Sequence, residues 1–348
     1  MNTVRKWIRN ARPVSLTQSL LPALLAVALG IGYPGFNIWM ALLAVAGVVF
    51  AHFAMNLADD YFDYRADMMG ARDRVIRKGF RAMTEKYPYL TDGSETPASL
   101  LRAIVCMLVT ALVCGLGIFV YRLLDGGFTG PQGCWWIVLI AALAGFFGIF
   151  YSAPPFKFGY RGLGEPVIGL IFGPLLMSGC FYASAGCISS EVVWISVPVG
   201  LLVMNILYTH SFIDMAGDAE SGKMTLARLF RSDAQRLAAA WVINLLPYLL
   251  IVVAAVFGYI SEFYLLVLFV LPRSLWLCGS LRDFARGETG VPDLPPLILG
   301  NIKNWEHYKA KGIAWFMLRW IASRNITGSF CAILIIAKLL TLCFSKSI

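Results

Sequence analysis

The sequence predicts an all-α membrane protein: a bundle of about nine transmembrane helices around a polar cavity that faces the cytoplasm. Three observations lead there. Of 348 residues, 59% are hydrophobic and only 14% charged, with a mean hydropathy of +0.71, whereas soluble domains are roughly half apolar and a quarter charged. Apolar runs of membrane-crossing length, about 20 residues each, recur along the chain. The connectors between them alternate between basic and nearly free of positive charge, the pattern that sets topology in a polytopic chain.

Residues 1–13, MNTVRKWIRNARP, read as an amphipathic cytoplasmic lead-in without the cleavage signature of a signal peptide. Residues 14–348 read as one transmembrane domain. Spans are expected at 14–32, 38–58, 99–121, 134–151, 165–185, 192–213, 236–257, 262–281 and 327–345. Pro13 or Pro22 starts or kinks the first. Gly169, Gly173 and Gly179 in the fifth permit a neighbouring helix to pack closely. The basic segments are the N-terminus, 59–98, 152–164, 214–235 and 282–326, while Arg122 is the one clear positive charge in the short connectors. This distribution puts the N-terminus in the cytoplasm and, with nine spans, the C-terminus outside. Segment 282–326, broken by Pro292, Pro295 and Pro296, reads as a basic interfacial stretch before the last span. The eight cysteines show no CxxC spacing and read as reduced packing residues. The net charge of +9 is a topology and lipid-headgroup signal, not a sign of nucleic-acid binding.

Two acidic clusters stand out. In NLADDYFDYRAD, Asp60, Asp63 and Asp67 lie within about 40° of Asn56 around a helix, with Asp59 near the edge of the same arc. Like charges on one face repel, and the end of a membrane span adds desolvation. A hard divalent cation on that face would resolve both. Asp214 and Asp218 follow the sixth apolar run, with His210 one turn before Asp214. Both clusters fall on the cytoplasmic side by the Lys and Arg count alone. Between them in sequence lies a third polar island on that side, YSAPPFKFGYRGLGEP, which contains Tyr151, Lys157, Tyr160, Arg161 and Glu165. Solvated helix ends, each held by an Arg or Lys, are the plain alternative.

Together these motifs resemble the UbiA superfamily of intramembrane prenyltransferases. YSAPPFKFGYRGLGEP with GPLLMSG resembles its menaquinone branch, the 1,4-dihydroxy-2-naphthoate prenyltransferases. The resemblance spans most of residues 14–281. The family pattern Asn-Asp-x-x-Asp-x-x-x-Asp reads here Asp59-Asp60-x-x-Asp63-x-x-x-Asp67, and Asn56 matches an upstream Asn of the menaquinone branch. Asp214 and Asp218 match the second acidic pair, and Gly222, Lys223, Thr225, Leu226, Arg228 and Leu229 match the run that follows. Where the family has Asn-Asn-x-Arg, this chain has His210-Ser211-Phe212-Ile213, and 68–98 lacks the usual Gly-Pro-Arg run.

The resemblance implies Mg²⁺ held by Asp60, Asp63, Asp67, Asp214 and Asp218, which would also be the catalytic set. It implies a polyprenyl diphosphate and an aromatic acceptor as substrates, contacted by Asn56, Asp59, Tyr151, Lys157, Arg161, His210, Lys223 and Arg228. The expected setting is membrane lipid, in a bacterial inner membrane. Two other readings stay open at this point: a cation-coupled secondary transporter, and a non-catalytic homologue that binds isoprenoids or quinones.

Overall fold

The computed structural model describes residues 3–65, 87–130, 132–220 and 222–345. Among these, nine helices are long and apolar enough to cross a membrane: Pro13–Gly30, Ile38–Arg65, Pro97–Gly126, Trp135–Ser152, Gly164–Ala185, Ser190–Ile213, Asp233–Val256, Glu262–Ala285 and Ala314–Phe344. They are the first to ninth spans below. No β-strand occurs among the described residues, and the protein is an integral membrane helix bundle. An amphipathic helix, Thr3–Asn10, precedes the first span.

Local chemistry sets the helix ends. Thr96 and Ser99 form a reciprocal capping box at the start of the third span, and the side chains of Ser189 and Ser232 cap the sixth and seventh. The sixth span is the most buried of the nine described, packed among the first, fifth, seventh and ninth. It passes the fifth at glycines: a Cβ on Gly173 would lie 2.5 Å from both Gly200 Cα and Ser196 O, so the expected close crossing is present at Gly169 and Gly173. At the same place the fifth span widens into a π turn, Ile171–Leu175, around Pro174, which has no N–H for the helical ladder. Inside the bundle, Asn205 and Asn244 of the sixth and seventh spans exchange amide hydrogen bonds of 2.8 and 2.9 Å, leaving no unmet polar group of that pair in the apolar interior.

Two sequence oddities resolve in packing. Arg122, the one cation expected in a short connector, lies near the end of the third span, where it is buried, pairs with Asp125 at 2.9 Å and donates to Ala183 O, Ser184 O and Gly35 O. It satisfies carbonyls left open where the fifth span ends. The last span begins at Ala314, not at 327, so the stretch between the eighth and ninth spans holds only a 3₁₀ turn, Leu297–Leu299, and a short helix, Trp305–Ala310. Arg319 and Arg324, expected in the basic interfacial segment, belong to the ninth span. Arg319 is buried on the carbonyls of Ser280, Trp315 and Glu288. Arg324 donates to Val14 O and Thr17 Oγ1 of the first span. All eight cysteines are free thiols.

Candidate active site

The second span stays helical to Arg65, so Asn56, Asp59, Asp60 and Asp63 do share a face. Asp60 and Asp63 are 0% exposed, Asp214 2% and Asp218 3%. A carboxylate buried among apolar helices must be met by hydrogen bonds or cations. At Asp60 these are the Tyr89 hydroxyl, donating to Oδ2 at 2.9 Å, and Arg12 Nη2, 3.2 Å from Oδ1. Asp59 accepts from Ser152 Oγ at 2.8 Å and lies 3.6 Å from the same Arg12 nitrogen. Asp63 accepts from the Tyr160 hydroxyl and lies 3.7 Å from Lys223 Nζ.

Arg12 is held there by its own segment. Trp7 of the N-terminal helix packs edge-on against Tyr89 at 6.0 Å, and Lys6 forms an ion pair with Glu95. The backbone then turns through the left-handed region at Arg12 (φ 56°). Asn56 Nδ2 donates to Ala11 O at 2.9 Å and Ser15 Oγ at 2.8 Å, while Arg12 Nη2 donates to Asn56 O at 3.0 Å. Burial opposes the charge on Arg12, but Asp60 and Asp59 outweigh it and raise its pKa. Burial, then the adjacent Asp60, raises the Tyr89 pKa, so the phenol remains a neutral donor to that carboxylate.

The second motif, after the sixth span, packs against the loop that follows the fourth. That loop folds back on Tyr151: a Cβ on Gly159 would lie 3.0 Å from the ring. Gly162 has φ +76°, and a Cβ there would meet Leu229 Cδ1 at 2.3 Å, so only glycine fits. Its N–H donates to Met224 O at 2.6 Å. The buried Glu165 carboxylate accepts from Ser211 Oγ at 2.6 Å and from the Leu226 N–H at 3.1 Å. Arg228 donates to the carbonyls of Lys223 and Asp218. Thus fixed, Lys223 lies 5.1 Å over the Tyr160 ring beside Asp63. Lys223, in the run that follows Asp218, thus lies against Asp63 of the first motif, with Tyr160 of the intervening loop between them.

Not every expected residue reaches the acids. Asp67 lies outside the described residues, as do Arg72, Arg74, Arg77, Lys78, Arg81 and Lys86 of the same basic loop. Arg161 is exposed and donates to Pro155 O at 3.1 Å. Lys157, with φ 47°, makes no ion pair with the described acids. Arg228 is used on backbone and Asn56 tethers the N-terminal segment; among the contacts of His210 is an edge-on packing against Phe316 at 5.2 Å. Sequence reasoning missed Arg12, Tyr89, Ser152 and the bond from Tyr160 to Asp63. The one available signal was position: Arg12 immediately precedes the first span on the side assigned to the acids.

The donors are all carboxylate oxygens, which suits a hard divalent cation. Such an ion typically takes one or two carboxylates and completes its shell with phosphate and water. Among the described residues no three His, Cys, Asp or Glu side chains converge on one point.

Residues 19–289 match the UbiA prenyltransferase family. A 1,4-dihydroxy-2-naphthoate octaprenyltransferase of Bacillus subtilis is 23% identical over 284 residues, which cover 80% of this chain and 81% of that protein. A 2-carboxy-1,4-naphthoquinone phytyltransferase of Synechocystis is 27% identical over 229 residues, 64% of each. The structure of a UbiA homologue from Archaeoglobus fulgidus bound to DMAPP and Mg²⁺ has the same fold, with a TM-score of 0.52 at 18% identity over 93% of this chain and 99% of that one. The helix bundle, the paired acidic motifs and the family match agree: the chain belongs to the UbiA prenyltransferase family and is a membrane-embedded transferase.

Proposed function

We propose that this protein transfers a polyprenyl group from a prenyl diphosphate to a naphthoate-type aromatic acceptor, with Mg²⁺, at the cytoplasmic face of a bacterial inner membrane. The observation that carries the reading is the junction of the two acidic motifs, where Tyr160 and Lys223 meet Asp63. The acids gather at one end of the bundle and not at its middle, which favours a transferase over a cation-coupled transporter. The Lys and Arg distribution supports the orientation, and the naphthoate-type relatives support the acceptor class.

Mg²⁺ held by Asp60, Asp63, Asp214 and Asp218, with Asp67, would stabilise the charge that builds on the departing diphosphate. The chain's own groups do the rest. Arg12 and Lys223 are cations already at the first motif, within reach of phosphate oxygens that enter there. Tyr89 and Tyr160 hold the carboxylates of Asp60 and Asp63 in fixed orientations by donating to them. As the allylic C–O bond breaks, its electron pair leaves with the diphosphate. The surrounding apolar helices keep water from the allyl cation until the ring carbon bonds to it and a ring proton or carboxylate substituent departs.

The test is turnover of the purified protein in lipid nanodiscs, given a prenyl diphosphate series and 1,4-dihydroxy-2-naphthoate. Prenylated product is expected with Mg²⁺ and none in excess chelator. Full turnover in chelator would overturn the metal assignment, and no product with any diphosphate would overturn the acceptor class.

A further inference from the structure

His52 lies one helical turn deeper in the membrane than Asn56, on the same face of the second span as the acids. It is 7% exposed, and the mechanism above makes no use of it. Its contact with Ser15 couples the ring tautomer to one hydroxyl rotor. Ser15 Oγ has one hydrogen and lies 2.8 Å from Arg12 O and 3.0 Å from His52 Nε2, while it accepts from Asn56 Nδ2 at 2.8 Å. With that hydrogen on Arg12 O, Nε2 is the donor to Ser15 and Nδ1 of the neutral ring is an acceptor; with it on Nε2, the ring proton sits on Nδ1. In both arrangements Nδ1 has no hydrogen-bond partner.

A buried acceptor with an unmet lone pair carries a desolvation cost unless a ligand or water donates to it. Two aromatic rings flank the imidazole. Phe172, in the π turn of the fifth span, lies 5.7 Å from the imidazole, and Phe53 lies 6.5 Å away. Aromatic faces at such distances favour offset or edge-on partners. The position is below the diphosphate end of the site, where an apolar co-substrate would lie.

We infer that His52 Nδ1 accepts a hydrogen bond from a ring hydroxyl of the aromatic co-substrate, and that Ser15 sets the tautomer that makes this possible. The inference rests on the proposed transfer to an aromatic acceptor, but its test does not need turnover. Equilibrium binding of 1-naphthol and of its methyl ether, 1-methoxynaphthalene, is measured by fluorescence to the intact protein in nanodiscs. Wild type should favour the naphthol by about tenfold, the worth of one buried hydrogen bond. His52→Phe should abolish that preference by weakening naphthol binding alone. His52→Asn, whose amide oxygen stands near the Nδ1 position, should restore part of it. Ser15→Ala should reduce it by freeing the tautomer. Mg²⁺-dependent binding of a prenyl diphosphate should be unchanged in the His52 variants, which separates a lost contact from a lost fold. A wild type that binds both probes alike, as expected if Nδ1 only holds water, would overturn the inference. So would a His52→Phe protein that keeps the preference, or one that loses both probes and the diphosphate together. A hydroxyl preference that depends on His52 in a protein that never prenylates would overturn the proposed function and leave this inference standing.

Discussion

Asp59 and Asp60 are neighbours in sequence, yet their substitution by Asn should give opposite results. The family pattern has Asn at the position of Asp59. In this chain Asp59 accepts from Ser152 Oγ through Oδ1, a bond the oxygen of an amide also accepts. What Asp59→Asn loses is the charge 3.6 Å from Arg12, in a pair whose side chains are 35% and 25% exposed. Partly solvated pairs of this kind contribute about 0.2–1 kcal/mol, so the rate should fall by no more than about fivefold. Asp60 is fully buried, accepts from Tyr89 at 2.9 Å and lies 3.2 Å from Arg12. Asp60→Asn turns one of those contacts into donor against donor and leaves Arg12 with a weaker partner. Breaking a buried pair costs about 3–5 kcal/mol of folding stability. The lower figure suits an Arg open to water on one side, and it should appear as a thermal midpoint lowered by several degrees, together with a rate loss well beyond that of Asp59→Asn. The assay is the initial rate across a Mg²⁺ titration, beside the thermal midpoint of each variant in the same detergent. An inactive Asp59→Asn protein, or an Asp60→Asn protein with wild-type rate and midpoint, would refute the partner assignments.

Two further outcomes follow from groups outside the acidic motifs. Arg122→Ala strands the carbonyls of Gly35, Ala183 and Ser184 and should lower stability by roughly 2–4 kcal/mol. Differential scanning fluorimetry should report a midpoint lower by several degrees, and Arg122→Lys should not recover it because an ammonium lacks the guanidinium fork. The second outcome concerns pH. The bond from Lys6, then that from Ser99, lowers the Glu95 pKa, so the N-terminal helix gains stability above the unfolded carboxylate value of about 4.3 and loses it as pH falls through the lower folded value. Trp7 fluorescence should therefore report undocking only in acid below about pH 4, and Lys6→Ala should move that transition upward.

The spans and the acidic face were legible because both are periodic properties of single helices. Apolar length marks a membrane crossing, and a 100° step puts Asp60 and Asp63 on one side. What stayed hidden were contacts between elements far apart in sequence. Arg12 read as one more cytoplasmic charge, because composition does not reveal that Asn56 fastens its segment over Asp60. Lys157, Arg161 and Arg228 looked as suited to phosphate as Lys223, yet Arg161 and Arg228 serve local carbonyls and Lys157 makes no ion pair with the described acids. The misplaced start of the ninth span has the same origin. Arg319 counts as polar in a hydropathy window, but in the fold it is a buried donor to three carbonyls.

The central claim is that the two motifs form one site for a metal-bound diphosphate. Calorimetric titration of a non-reactive prenyl diphosphate analogue into wild type, Asp63→Asn and Asp218→Asn, each with and without Mg²⁺, tests it most directly. The account predicts Mg²⁺-dependent binding to wild type and loss of that binding by about a hundredfold or more in either variant. Wild-type affinity and Mg²⁺ dependence in Asp218→Asn, with binding lost only in Asp63→Asn, would show that the second motif is not part of the site.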